Sequence, residues 1–303
     1  MNAPACRACG SGRTRLRGRK QGNYLRREFD FHDCGDCGFL FVEPFSGFAI
    51  YDDAYYRGAG PDPYVDYEAE YRDWRGSDRR HEFDDLLRIA RSQLADAPGK
   101  SVRWLDFGCG AGALLKCLRE TGALGGRTLE VTGHDVGSYA DRLREQDGFR
   151  ILGLADLAAL PDASFDVISM IEVIEHLPEP AEPVKLAARL LRPGGLLLLT
   201  TGNLGSPAAR RAGLAYRYCA PEIHVSLFEP GCLSRLYTRA GLEPLHVRYR
   251  GAVRFKVLKT LRHRPVLRRL AALGLRLPPV VAAIDRLYGV SAMPCAVKPR
   301  LPA

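Results

Sequence analysis

The run Val-Arg-Trp-Leu-Asp-Phe at 102–107 breaks directly into Gly108-Cys109-Gly110-Ala111-Gly112. The run reads as a buried strand. Glycines at alternate positions turn the chain sharply and let its backbone approach a ligand with no Cβ in the way. Beyond the turn the chain keeps a regular rhythm: helix 112–121, strand LEVTGHDV (129–136), helix 138–146, short strand FRIL (149–152), strand FDVISMI (165–171), helix 181–191, strand LLLLTT (196–201), helix 230–240 and strand PLHVRYR (244–250). Strands alternating with helices predict an α/β architecture, a parallel sheet covered on both faces. Ligands in such a sheet bind beyond the C-terminal ends of the strands, near the switch in strand order.

The spacing Gly108-x-Gly110-x-x-Ala113 fits a dinucleotide-binding turn only loosely. Three acids redirect the reading. Asp106 stands two residues before the first glycine, where it repels a pyrophosphate and suits an ammonium group. Asp135 closes the second strand, where a carboxylate takes both hydroxyls of a ribose. Asp156, in LADLAALP, comes after the third strand, where it accepts from an adenine amino group. Ammonium, ribose and adenine together describe S-adenosylmethionine.

The opening of the chain is a different module. Of nine cysteines, four form two pairs, CRAC (Cys6, Cys9) and CGDC (Cys34, Cys37), 24 residues apart and each with a glycine after it. A C-x-x-C knuckle aims two thiolates at one ion, and two knuckles complete a tetrahedral zinc site. With four protein ligands such a site is structural. The other five cysteines are scattered, which argues against a disulfide framework. Residues 1–45 are therefore expected to form a small zinc-binding segment. A connector and helix (46–98) come next, carrying Tyr51, Tyr55, Tyr56, Tyr64, Tyr67 and Tyr71 in an irregular stretch before an amphipathic helix over 78–96. The core spans 99–250, and basic helices with a final edge strand at 293–300 occupy 251–303.

The net charge of +9 is unevenly spread. From Arg250 onward there are 12 Lys and Arg against one acid, Asp285, so the tail carries +11 and residues 1–249 carry −2. Such an excess suits nucleic acid, an anionic membrane face or a phosphorylated substrate. PVLRRLAALGLRL has a basic amphipathic look, but its arginines are interleaved with leucines as in two packed helices capping the sheet, and no RNA-binding motif is recognisable. Nucleic acid is thus not expected, and peripheral membrane contact through the tail stays as an alternative. No stretch reaches the roughly 18 apolar residues of a membrane span, and the N-terminus lacks an apolar signal core, so a cytoplasmic location is expected.

In this order, DFGCGAG, GHDV, ADLAALPDASFDVI, EVIEHL and LRPGG resemble the motifs of class I S-adenosylmethionine-dependent methyltransferases, over about residues 100–250. The whole chain resembles a bacterial subgroup with an N-terminal zinc-ribbon-like segment: CRACG…CGDCGFLFVEP, a tyrosine-rich linker, the core, and HVSLFEP at 224–230. The resemblance implies a doubly wound, mostly parallel seven-stranded sheet of Rossmann-like type. It implies that Gly108, Gly110 and Gly112 line the methionine moiety, that Asp135 holds the ribose, and that Asp156 with the backbone of Leu157 reads the adenine. Members often serve surface-glycan, sugar and natural-product pathways, so the expected reaction is methylation of a small hydroxylated acceptor, on oxygen. C-methylation of a nucleotide-linked keto-sugar and 2′-O-methylation of RNA are the alternatives.

One stretch bears on the chemistry. The strand 165–171 runs into Glu172-Val173-Ile174-Glu175-His176-Leu177, two carboxylates and an imidazole, groups costly to bury unless paired or ligated. Three readings stay open. His176, or the later His224, is a general base that takes the acceptor's proton. Alternatively Glu172, Glu175, His176 and His224 hold magnesium or manganese, which acidifies a hydroxyl; E-x-x-E-H with a downstream histidine resembles the metal-binding set of small-RNA 3′-terminal 2′-O-methyltransferases and of ubiquinone-pathway O-methyltransferases. In the third, Glu175 and His176 only shape the pocket. Oligomeric state is not legible.

Overall fold

The computed structural model describes residues 3–63, 65–261 and 263–300; Tyr64 lies outside them. Three antiparallel strands open the chain, β1 (Thr14–Gln21), β2 (Glu28–Cys34) and β3 (Leu40–Glu43). The connector contains two short helices, α1 (Asp53–Tyr56) and α2 (Tyr67–Arg72), and leads into α3 (Arg80–Gln93). The core then alternates: β4 (Ser101–Phe107), α4 (Ala113–Thr121), a two-residue β5 (Ala123–Leu124), β6 (Arg127–His134), α5 (Tyr139–Glu145), β7 (Arg150–Ile151), α6 (Leu154–Ala159), β8 (Phe165–Ile171), α7 (Ala181–Leu190) and β9 (Leu191–Thr200). After it come α8 (Pro207–Ala212), β10 (Ser226–Leu227), α9 (Pro230–Arg239), β11 (Glu243–Leu245), α10 (Arg250–Thr260), α11 (Pro265–Gly274), α12 (Pro278–Tyr288) and β12 (Cys295–Val297).

The large sheet reads β7-β6-β4-β8-β9-β12-β11, with β5 added beside β6. The strands from β7 to β9 are parallel; β12 runs antiparallel to both of its neighbours. Period-two alternation sorts side chains onto two faces. Trp104, Val167, Leu196 and Leu198 meet Phe83, Leu86 and Ile89 of α3 and Val253 and Leu258 of α10. Leu105, Ile168, Leu197 and Leu199 meet Val184 and Ala187 of α7 and Leu233 and Leu236 of α9. The opening module shares this second core, because Cys6, Cys34, Cys37, Phe39 and Phe41 are buried in it, and β3 pairs with β10.

Four expectations need correction. The connector is not simply irregular, since Asp52 and Asp66 cap α1 and α2 by accepting from backbone N–H groups. The expected strand 244–250 stops at Leu245. Tyr249 is drawn into the core, its hydroxyl donating to the Leu199 carbonyl oxygen (3.3 Å), and Arg250 begins a helix. Among its described residues the tail holds three helices rather than two, because Pro265 and Pro278 stand at first helical positions, where a missing N–H costs nothing. The last strand is not at the edge: it is inserted between β9 and β11, in the same sheet as residues 99–250.

Candidate active site

The glycine turn sits where expected, between β4 and α4 beside the crossing of strand order. Gly108 has φ 76°, and a Cβ there would lie 2.5 Å from Val173. Its N–H and that of Cys109 donate to the His134 carbonyl oxygen, at 2.7 and 2.9 Å. The turn opens on a cavity of about 520 Å³ lined by Asp106, Gly108, Gly110, Asp135, Glu172 and His176, with Tyr51, Tyr55 and Tyr56 of the connector across it. Gly112 is not among the lining residues. It packs on α5, where a Cβ would lie 2.6 Å from Leu143.

Asp106 is buried under a short relay. The Trp104 indole N–H donates to Ser169 Oγ (2.9 Å), and the Ser169 hydroxyl donates to Asp106 Oδ1 (2.7 Å). Burial pushes the Asp106 carboxyl up to about 7, against the lowering effect of the Ser169 hydrogen bond. Asp135 is already well supplied with donors. Its Oδ1 accepts from the Tyr56 hydroxyl (3.0 Å) and the Gly137 N–H (2.7 Å), and its Oδ2 from the Gly110 N–H (2.8 Å).

Asp156 and Leu157 are not at this cavity, which corrects the expectation for both. Asp156 is exposed in the first turn of α6, where its Oδ2 accepts from the Gly153 N–H (2.8 Å) as a helix cap. The Leu157 N–H is spent on the Gly153 carbonyl oxygen, and its side chain lies in the core. In their place Leu154 and Val136, both exposed, line the cavity.

At the end of β8 the structure separates the acids that the sequence placed together. A 3₁₀ turn over Ile174–His176 brings Glu175 and His176 against His224, and one ligand atom from each lies within 4.8 Å of the others. The His176 Nδ1–H donates to the Ile223 carbonyl oxygen (2.9 Å), and the Tyr51 hydroxyl donates to that same oxygen (3.2 Å). The His224 Nδ1–H donates to the Tyr218 carbonyl oxygen (2.9 Å). A carbonyl only accepts, so the bond to Tyr218 puts the His224 proton on Nδ1 and leaves a lone pair on Nε2, while His176 Nδ1 is shared between the Ile223 carbonyl oxygen and the Tyr51 hydroxyl, 2.9 Å from each. Burial lowers His176, and burial with the neighbouring His176 lowers His224 to about 3. Glu175 is wholly buried; its Oε2 accepts from the Thr201 hydroxyl (2.8 Å), while Oε1 is buried without a hydrogen-bond partner. Burial first, then the charge of Glu172, pushes it up to about 8.

Glu172 does not join this group, contrary to the four-residue set. It adopts φ 56°, a left-handed conformation uncommon outside glycine. Its carboxylate turns to the Lys256 ammonium (3.3 Å) and accepts from the Tyr218 hydroxyl. Burial opposes its ionisation, but Lys256 and the Tyr218 hydroxyl more than offset it and hold the carboxyl below the usual range. Sequence reasoning did not find Lys256, Tyr218 or Thr201, which come from segments with no motif of their own; Tyr51 stands in the tyrosine-rich connector that the sequence singled out.

In the opening module all four paired cysteines converge. Their sulfurs lie within 4.8 Å of one another, with Cys6–Cys37 and Cys9–Cys34 each at 3.6 Å. Tetrahedral bonds of about 2.3 Å put two thiolates about 3.8 Å apart, so the spacing fits a zinc ion.

A family model described as a methyltransferase domain matches residues 75–247, more than half of the chain. The chain belongs to that family. It carries a methyltransferase domain of the class I, S-adenosylmethionine-dependent family. Over 139 residues it is 34% identical to a ubiquinone biosynthesis O-methyltransferase of Xanthomonas oryzae pv. oryzae, a match spanning 43% of this chain and 54% of that one. Over 199 residues it is 28% identical to a protein of the same name from Ralstonia nicotianae, covering 60% and 80%. The chain thus spans about half the length of the first of these curated relatives. Among solved structures, the methyltransferase is similar to the YcgJ protein of Bacillus subtilis at 19% identity and a TM-score of 0.43, covering 56% of this chain and 71% of that one.

Proposed function

We propose that this methyltransferase acts on a hydroxyl oxygen of a small acceptor carrying adjacent hydroxyls, as in a sugar-like diol or a catechol, and that Glu175, His176 and His224 hold a magnesium or manganese ion beside it. The observation that carries the reading is Glu175 Oε1, a buried carboxylate oxygen with no hydrogen-bond partner, next to two imidazoles held by backbone carbonyls. Orphaned buried acceptors are rare, and Nδ1–H bonds to carbonyls are the usual support of metal-binding histidines. The relatives' printed name, an O-methyltransferase, supports oxygen as the acceptor atom.

S-adenosylmethionine supplies an activated methyl group, so what remains for the protein is alignment and exclusion of water. In this reading Asp106 takes the ammonium group. Asp135 takes the ribose hydroxyls. Val136 and Leu154 offer apolar surface to the base. Tyr51 and Tyr55 wall off the acceptor side. A divalent ion supplies Lewis-acid polarisation of an acceptor hydroxyl; one imidazole nitrogen from each of His176 and His224, with Glu175, would hold it. Lys256 neutralises Glu172 beside the site, so Glu175 is the carboxylate left to face a cation. A structural zinc ion is proposed at Cys6, Cys9, Cys34 and Cys37.

The test is a manganese titration followed by electron paramagnetic resonance, on zinc-loaded protein with S-adenosylhomocysteine. One saturable manganese site is expected in the wild type and in neither Glu175→Ala nor His224→Ala. A wild type without that site would sink the metal reading and leave His176 or His224 as a metal-free base.

A further inference from the structure

Helix α11 is amphipathic the wrong way round for a soluble packed helix. Among its residues, Val266, Leu267, Leu270 and Leu273 are 70%, 46%, 61% and 57% exposed, and Leu277 beyond its end is 57% exposed. None of its ten residues is buried. At 3.6 residues per turn, Val266, Leu270 and Leu273 fall within roughly 60° of one another. The opposite face is the one that meets the protein: Arg268 pairs with Asp78 (2.7 Å), Ala272 packs against the core, and Leu275 just past the helix is buried. The stripe therefore points away from the body of the molecule. A contiguous exposed apolar stripe on a helix is a docking surface more often than an accident.

The charges around the stripe choose its occupant. Arg264, Arg269 and Arg276 are exposed on and beside the helix, and the helix itself carries no acid. From Arg250 to Arg300 the sequence has a single acid, Asp285. A second copy of this chain would press arginines against arginines, whereas an anionic lipid surface complements both the leucines and the charges.

We propose that α11 docks the protein on an anionic lipid bilayer, lying in the interface with Val266, Leu270 and Leu273 inserted and the flanking arginines on the headgroups. No helix among the described residues is long and apolar enough to cross a membrane, so the contact is peripheral. It goes beyond the proposed methyl transfer and does not depend on it.

The experiment is co-sedimentation of the full zinc-loaded chain with vesicles of phosphatidylcholine, alone or with about 30% phosphatidylglycerol, at low and high salt. Binding is expected only to the anionic vesicles, and it should weaken with salt. Arg269→Gln should lower the partition coefficient about fivefold, as expected for one basic residue at such a surface. Leu270→Asp should abolish binding. Both variants should keep the wild-type affinity for S-adenosylhomocysteine, which shows that they are folded. Equal sedimentation with neutral vesicles, or none with either, would overturn the proposal. So would a concentration-dependent dimer in sedimentation velocity that Leu270→Asp disperses, because a second copy would then own the face.

Discussion

Replacing Ser169 with alanine tests the role of Asp106 through a group that lies behind it. Burial lifts the Asp106 carboxyl to about 7, and the Ser169 hydroxyl works against that lift. A hydrogen bond to an ionised group contributes roughly 1.5–3 kcal/mol, and about 1.4 kcal/mol equals one pH unit. Ser169→Ala should therefore raise the Asp106 midpoint by about one to two pH units. At pH 7.5 the ionised fraction would fall from roughly three quarters to between about a quarter and a few per cent. The ammonium group needs the anion, so the affinity for S-adenosylhomocysteine should drop about three- to twenty-five-fold at that pH and recover as the pH rises. For the wild type the sign is the same: binding is lost as pH falls below about 7, by up to about tenfold per unit, and is level above it. Isothermal titration calorimetry across the range, on both proteins, reads this directly. The variant also strands the Trp104 indole N–H, costing about 1–3 kcal/mol of stability, so a thermal melt must show it folded at the assay temperature. Parallel pH profiles in the two proteins, or a flat profile in the wild type, would refute the assignment of Asp106 to the ammonium.

The same geometry sets three further outcomes. A carboxylate has about four acceptor positions, and Asp135 already uses three, one of them on Tyr56; Tyr56→Phe should free that position and tighten S-adenosylhomocysteine binding about fivefold, and weaker binding would mean that Tyr56 instead contacts the ligand. Removing zinc with a strong chelator, or Cys37→Ser, should lower the melting temperature of the whole chain in one transition, because the cysteines share a core with α7 and α9; elemental analysis should find one zinc lost, and an unchanged melt would contradict a structural ion. Lys256→Met should leave half-buried Glu172 with the Tyr218 hydroxyl but without its ion pair, destabilising by about 1–3 kcal/mol. Since Lys256 holds Glu172 below its ordinary range, the wild-type contribution is present above the unfolded value near pH 4 and is lost as pH falls further. The variant's melts should lack that loss in acid.

Most of the fold was readable because one physical pattern repeats. Each core strand alternates apolar side chains between two helical layers, so Trp104 and Leu105, or Leu196 and Leu197, face opposite cores. The end of the chain carries no such signal. Cys295-Ala296-Val297 is too short to show a period, and its place between β9 and β11 is decided by the partners waiting there. Pro265 and Pro278 read as breaks between helices, and the structure uses them as first helical residues. The first outcome depends on what the segment packs against; the second follows a local preference, proline at a first helical position, that a reading of breaks alone misses.

The site divides along the same line. Asp106, Gly108 and Gly110 belong to one turn and Asp135 to the strand beside it, so short-range pattern was enough to place them. Asp156 failed for a local reason that was also legible: Gly153-x-x-Asp156 is half of a helix-capping signature, and the helix claimed the carboxylate. Glu172 and Glu175 differ for a reason outside their own segment. Both leave the same strand, three residues apart; Glu175 is wholly buried and Glu172 half-buried. Lys256, 84 residues later, neutralises one. The other meets two neutral imidazoles and keeps an oxygen without a partner. A motif of two acids and a histidine therefore does not specify a metal site by itself. In this chain the cations tell the two acids apart: Glu172 Oε1 faces the Lys256 ammonium at 3.3 Å, and Glu175 Oε1 faces neither a donor nor a cation, which is why the proposed metal set keeps Glu175 and leaves out Glu172.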